Sequence, residues 1–210
     1  MTNIPQIIFT YIVIVLSAVF HEYAHSYAAY KLGDTTAKDM GRLTINPFKH
    51  LDPIGTVILP LLLLLSPARA FIGWAKPVPY NPYNLRDQRY GSLKVGIAGP
   101  LANIAIAFVL GLFLRFSGFI PGLDTLPQTF LLLLAFIVQV NIFLALFNLI
   151  PVPPLDGSKI LMDLFPGTRE LMARLGFFGI FIALFVSFYF LSPIMELLFN
   201  LIVGGSVIGA

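Results

Sequence analysis

The sequence predicts an all-α polytopic membrane protein with about five or six transmembrane helices, a re-entrant segment and short β-strands near the cytoplasmic face. Three observations carry that expectation. Of the 210 residues, 58% are hydrophobic and 11% charged, against about 25% charged in average soluble domains, and mean hydropathy is +0.88. Several apolar runs reach the roughly 20 residues that a helix needs to cross a hydrocarbon core about 30 Å thick. Nine of the thirteen Lys and Arg residues fall in 31–53 and 66–94, the bias that marks cytoplasmic loops.

The first run, about Ile4 to Tyr30, is too long for a signal-peptide core and has no Lys or Arg before it. It is expected to remain uncleaved and to enter with its N-terminus outside. Ile54–Leu65 offers only twelve residues, broken by Pro60 and ended by Ser66-Pro67-Ala68-Arg69. A hairpin that dips into the bilayer and returns keeps the basic stretches on either side of it on one face. Residues 35–46 and 71–80 contain β-favouring stretches with prolines at their ends, from which the short strands are expected. Leu93–Phe116 is the second clear span. Residues 117–128 hold no Lys or Arg and suit the outer face. Phe130–Ile150 returns to the inner face, where Lys159, Arg169 and Arg174 follow. Leu175–Leu191 is the fourth clear run. After Ser192-Pro193 a last run, Ile194–Ala210, carries Glu196 and reads either as a sixth, weaker helix or as a segment packed against the others.

Composition also excludes. The net charge of +3, with no block of five like charges, argues against nucleic-acid binding. With no cysteine, disulfides, thiolate metal sites, iron–sulfur clusters and a cysteine nucleophile are ruled out. Any metal must therefore be held by His, Asp or Glu. The length suits one domain, residues 1–210.

Within the first run stands His21-Glu22-Tyr23-Ala24-His25. Histidines four apart lie one turn above each other on one helix face, placed to share a zinc ion, and the intervening Glu is placed to act as a base. Ionisable groups in the bilayer cost several kcal/mol unless paired, so the trio marks a functional site rather than incidental packing. A catalytic zinc takes three protein ligands. The candidates for the third are His50, Asp124, Asp156 and Glu196. His21 lies roughly 25 Å along its helix from Ile4, near the inner leaflet boundary. Asp156 follows a helix running from outside to inside, and Pro151, Pro153, Pro154 and Gly157 let the chain turn back there. Depth therefore selects Asp156.

These residues resemble the site-2 protease family of intramembrane zinc metalloproteases. The resemblance rests on His21–His25, on Ala98-Gly99-Pro100-Leu101-Ala102-Asn103, and on Asn148 through Gly157. Gly41–Pro47 and Asp52–Thr56 are similar to its compact subgroup without PDZ or CBS domains. The aspartate motif departs slightly, reading Pro-Pro-Leu-Asp-Gly. The resemblance implies a single intramembrane metalloprotease domain with one catalytic Zn2+. His21, His25 and Asp156 would be its ligands and Glu22 the general base. It also implies a multi-pass protein of the cell membrane, with the active site toward the cytoplasm and a substrate that is a membrane protein with a transmembrane helix.

Asn103 and Asn148 are candidates for stabilising the oxyanion or positioning substrate; interhelical hydrogen bonding is the competing role. Asn141 reads as structural, and His50 as a surface or hydrogen-bonded loop residue. The competing class is a non-hydrolytic metal-binding protein or metal transporter. Transporters usually carry repeated halves, and no repeat is visible here.

Overall fold

The computed structural model describes residues 4–58, 76–122 and 125–204. Among them, four helical stretches are long and apolar enough to cross a membrane: Ile4–Lys31, Gly91–Ser117, Gln128–Asn148 and Pro166–Val203. No β-strand occurs among the described residues. The chain packs as two compact units, Met1–Val95 and Gly96–Ala210.

The first unit is organised by helix α1 (Ile4–Lys31). It ends because Gly33 adopts φ +110°, which lets the Asp34 N–H return to the Ala29 carbonyl at 3.0 Å. The expected strand within 35–46 is instead helix α2 (Thr36–Asp39) followed by turns. The reason is Asp34. Its buried carboxylate accepts from the Thr36 N–H at 3.2 Å and the Thr36 hydroxyl at 2.6 Å, which turns the chain immediately.

The other expected strand, 71–80, is described only from Lys76, and 76–80 forms no ladder. Pro77 and Pro79 lack amide protons, while the Lys76 N–H donates to the His50 carbonyl at 2.9 Å. Asp52 accepts from the Ile54 and Gly55 amides, opening a π-helical turn at Pro53–Ile58. The Tyr11 hydroxyl donates to the Thr56 carbonyl in that turn. The rest of the expected re-entrant segment, 59–65, lies outside the described residues, as do Asp124 and 205–210.

Asp34 also receives the Asn81 N–H at 2.8 Å and the Asn84 side-chain amide at 2.9 Å. Burial alone would raise its pKa. The hydrogen bonds from Thr36, Asn84 and Asn81 outweigh burial and hold the carboxyl below the ordinary carboxylate range. Leu85, Ala29 and Val95 form the small core above this network.

The second unit contains most of α3 (Gly91–Ser117), then α4 (Gln128–Asn148), α5 (Asp156–Leu164), α6 (Arg169–Leu175), α7 (Gly179–Val186) and α8 (Ser192–Val203). Ser192-Pro193 does not interrupt the helical path, because proline is tolerated in a first turn. Its core joins Ala107 and Leu114 of α3, Ala135, Val138 and Ile142 of α4, and Phe199, Ile202 and Val203 of α8.

The α4–α5 connection is the tightest part of this unit. Gly157 does not adopt a positive φ; its requirement is space. A Cβ there would stand 2.3 Å from the Leu149 carbonyl oxygen and 2.5 Å from that of Ile150. A Cβ at Gly179 would meet the Pro153 carbonyl oxygen at 2.0 Å.

Two outcomes follow from these contacts. Asp34→Ala leaves buried amides without an acceptor and should cost about 3 kcal/mol, read as faster hydrogen exchange at Thr36 and Asn81. Because its pKa is lower when folded, the Asp34 contribution is complete at neutral pH and is lost as pH falls through the folded value. Gly157→Ala must displace backbone and should lower stability by about 3 kcal/mol, visible as a lower Tm and proteolysis within 149–157.

Candidate metal centre

His21, Glu22 and His25 occupy one stretch of α1, and both histidines are buried. Their spacing brings the rings together as an edge-on pair, with centroids 4.6 Å apart and planes at 83°. The two Nε2 atoms are 3.0 Å apart. His25 Nδ1 lies 2.7 Å from the Val95 carbonyl oxygen. A carbonyl can only accept, so Nδ1 is the protonated nitrogen and Nε2 presents its lone pair toward His21.

Two imidazole nitrogens converging in this way suit a shared cation. One of them already has its tautomer set by a backbone carbonyl, the arrangement typical of metal-bound histidine. With no sulfur ligand in the chain, the nitrogen and carboxylate donors fit zinc.

Glu22 is half-buried, and its Oε2 accepts the Val78 N–H at 2.9 Å. That donor was not legible in the sequence, although the prolines at 77 and 79 leave Val78 as the single amide donor between them. The stretch carrying it is secured at several points. The Arg42 guanidinium donates to the Lys76 and Pro77 carbonyls at 3.3 and 3.5 Å, and Asp34 holds Asn81. His50 is buried rather than on the surface, with Nε2 donating to the Thr44 carbonyl at 2.7 Å. Its backbone carbonyl receives Lys76. Asp34, Arg42 and His50 thus hold the segment that contacts Glu22.

In the second unit, Asp156 is the first residue of α5 and is buried. A negative side chain in the first helical turn is favoured by the exposed N–H groups there. Its Oδ1 lies 2.7 Å from Lys159 Nζ. Asn103 is fully buried, and its side-chain amide donates to Asn141 Oδ1 at 2.8 Å. The Asn141 amide in turn donates to the Ile137 carbonyl at 2.9 Å, and Asn148 donates to the Leu144 carbonyl within its own helix at 2.8 Å. Both candidate oxyanion donors therefore already make structural hydrogen bonds.

Comparison with known proteins agrees with this chemistry. The model of Peptidase family M50 matches residues 119–192, which include Asn148 and Asp156. "Putative zinc metalloprotease YwhC" of Bacillus subtilis is 41% identical over 198 residues, covering 87% of this chain and 83% of that protein. "Putative zinc metalloprotease Rip2" of Mycolicibacterium smegmatis is 31% identical over 160 residues, 75% of this chain and 58% of that protein. "Zinc metalloprotease MJ0392" of Methanocaldococcus jannaschii is 30% identical over 151 residues, 72% of this chain but 32% of that protein. No solved structure matches the chain. With two histidines converging beside a glutamate in an apolar helix, and a relative of this identity and coverage, the chain belongs to peptidase family M50, the site-2 proteases.

Proposed function

We propose that this protein hydrolyses peptide bonds in or near transmembrane segments of other membrane proteins, as a zinc metalloprotease whose ligands are His21, His25 and Asp156. The observation that carries the reading is the 3.0 Å approach of the His21 and His25 Nε2 atoms, with Glu22 between them in sequence, inside an apolar helix of 28 residues. Held by these residues, a zinc ion would supply Lewis acidity for the scissile carbonyl and for water near neutral pH. Glu22 takes the proton from the attacking water and delivers it to the departing amine. The Val78 N–H on Oε2 keeps the Glu22 carboxylate from swinging freely about its side chain.

Asn103 and Asn148 each commit one side-chain N–H to a structural bond, so either would serve the oxyanion through the second N–H of the same amide. Burying and aligning an extended peptide also requires the substrate helix to unwind, since helical amides are internally bonded.

The four long helices cross the cell membrane. The last stretch, Pro166–Val203, runs for 38 residues, about 57 Å if wholly α-helical and well beyond a single crossing. That length favours a further segment after the fourth span. The basic stretches 31–53 and 66–94 orient the site toward the cytoplasm. The family relationship does not favour a metal transporter.

Reconstitution with a membrane protein containing one transmembrane helix provides the test. Wild type should cleave it. Glu22→Gln should retain zinc and lose cleavage by at least about 100-fold, the scale of general-base catalysis. Cleavage at the wild-type rate by Glu22→Gln, or zinc flux without cleavage by wild type, would refute the assignment.

A further inference from the structure

We propose that Lys159 is a positioning residue that confines Asp156 to one-oxygen ligation of the metal and so preserves a coordination position for water. This rests on Asp156 being a ligand. The Lys159 ammonium lies 2.7 Å from Asp156 Oδ1, three residues along α5. The Asp156 side chain is 8% exposed and that of Lys159 28%, so the pair is not one of the water-screened surface contacts that contribute little. A charge-assisted hydrogen bond in such surroundings is among the stronger ones.

Two features keep the ammonium there. Residues three apart on a helix share a face, which directs Lys159 back over Asp156. The lysine stem also lies against α3 at Gly96. A Cβ at that position would stand 3.2 Å from Lys159 Cβ and 3.2 Å from the Asp156 carbonyl oxygen. The missing side chain at residue 96 therefore admits both members of the pair.

A carboxylate can offer a metal one oxygen or both. An ammonium donating to Oδ1 draws charge from that oxygen, so a metal would be held in preference through Oδ2. A catalytic zinc needs its fourth position for water or substrate, and a two-oxygen aspartate would crowd it. Lys159 thus sets how Asp156 binds rather than whether it is present. Partners that fix a metal ligand in this way typically change metal affinity 10–100-fold when removed.

The test uses the full chain in detergent, loaded with Zn2+ or with Co2+ as a spectroscopic substitute. Lys159→Met keeps the stem and removes the ammonium; Lys159→Arg keeps a charged donor. For Lys159→Met we expect a loss of zinc affinity of about 10–100-fold in competition with a chelator. Its visible Co2+ absorption should weaken, as in five-coordinate sites. Lys159→Arg should restore both. Should Lys159→Met fail to fold, Lys159→Gln, with a neutral donor, should show smaller changes in the same direction. Unchanged zinc affinity and Co2+ spectrum in the Met or Gln variant, or an Arg variant as defective as Met, would overturn the proposal. Wild-type zinc affinity in Asp156→Asn would instead refute Asp156 as a ligand.

Discussion

An ionisable side chain in a membrane-spanning helix must have a partner, because neither water nor counterions reach it cheaply. Several polar residues of this chain meet that constraint by drawing partners from backbone as much as from side chains. His25 uses the Val95 carbonyl, Glu22 the Val78 amide, His50 the Thr44 carbonyl and Arg42 the carbonyls of Lys76 and Pro77. Backbone partners set direction as well as energy. The Val95 carbonyl selects which nitrogen of His25 is available to a metal, and the Val78 amide selects where the Glu22 carboxylate rests.

The same constraint explains the irregular segment after the first helix. An irregular chain close to a bilayer needs its amides satisfied, and among the described residues two carboxylates satisfy several of them. Asp34 collects donors from Thr36, Asn81 and Asn84, while Asp52 collects those of Ile54 and Gly55. Short carboxylate-centred turns take the place of sheet. Prolines at 77 and 79 reinforce that outcome by removing donors that a ladder would use.

In the second unit the governing factor is steric. Gly157, Gly179 and Gly96 stand where backbone or a side-chain stem passes within about one atomic diameter of the missing Cβ. The turn carrying Asp156 can be as compact as it is only because these positions have no side chain. Charge then completes the arrangement, with Asp156 at a helix start and paired to Lys159.

The sequence by itself determined the membrane class, the long helices, and the His21-Glu22-Tyr23-Ala24-His25 motif, because hydropathy and helical spacing are local properties. Even the boundaries of α4 at Gln128 and Asn148 lie close to the apolar run that foretold them. Tertiary structure decided the partners. That Val95 would orient His25, that Val78 would reach Glu22, or that Asn103 would pair with Asn141 depends on contacts across 38 to 70 residues. It also replaced the expected strand within 35–46 by a helical turn, since the buried Asp34 captured the Thr36 amide and hydroxyl and turned the chain there. Local pattern states which groups need partners in an apolar setting, and only the folded chain states which groups supply them.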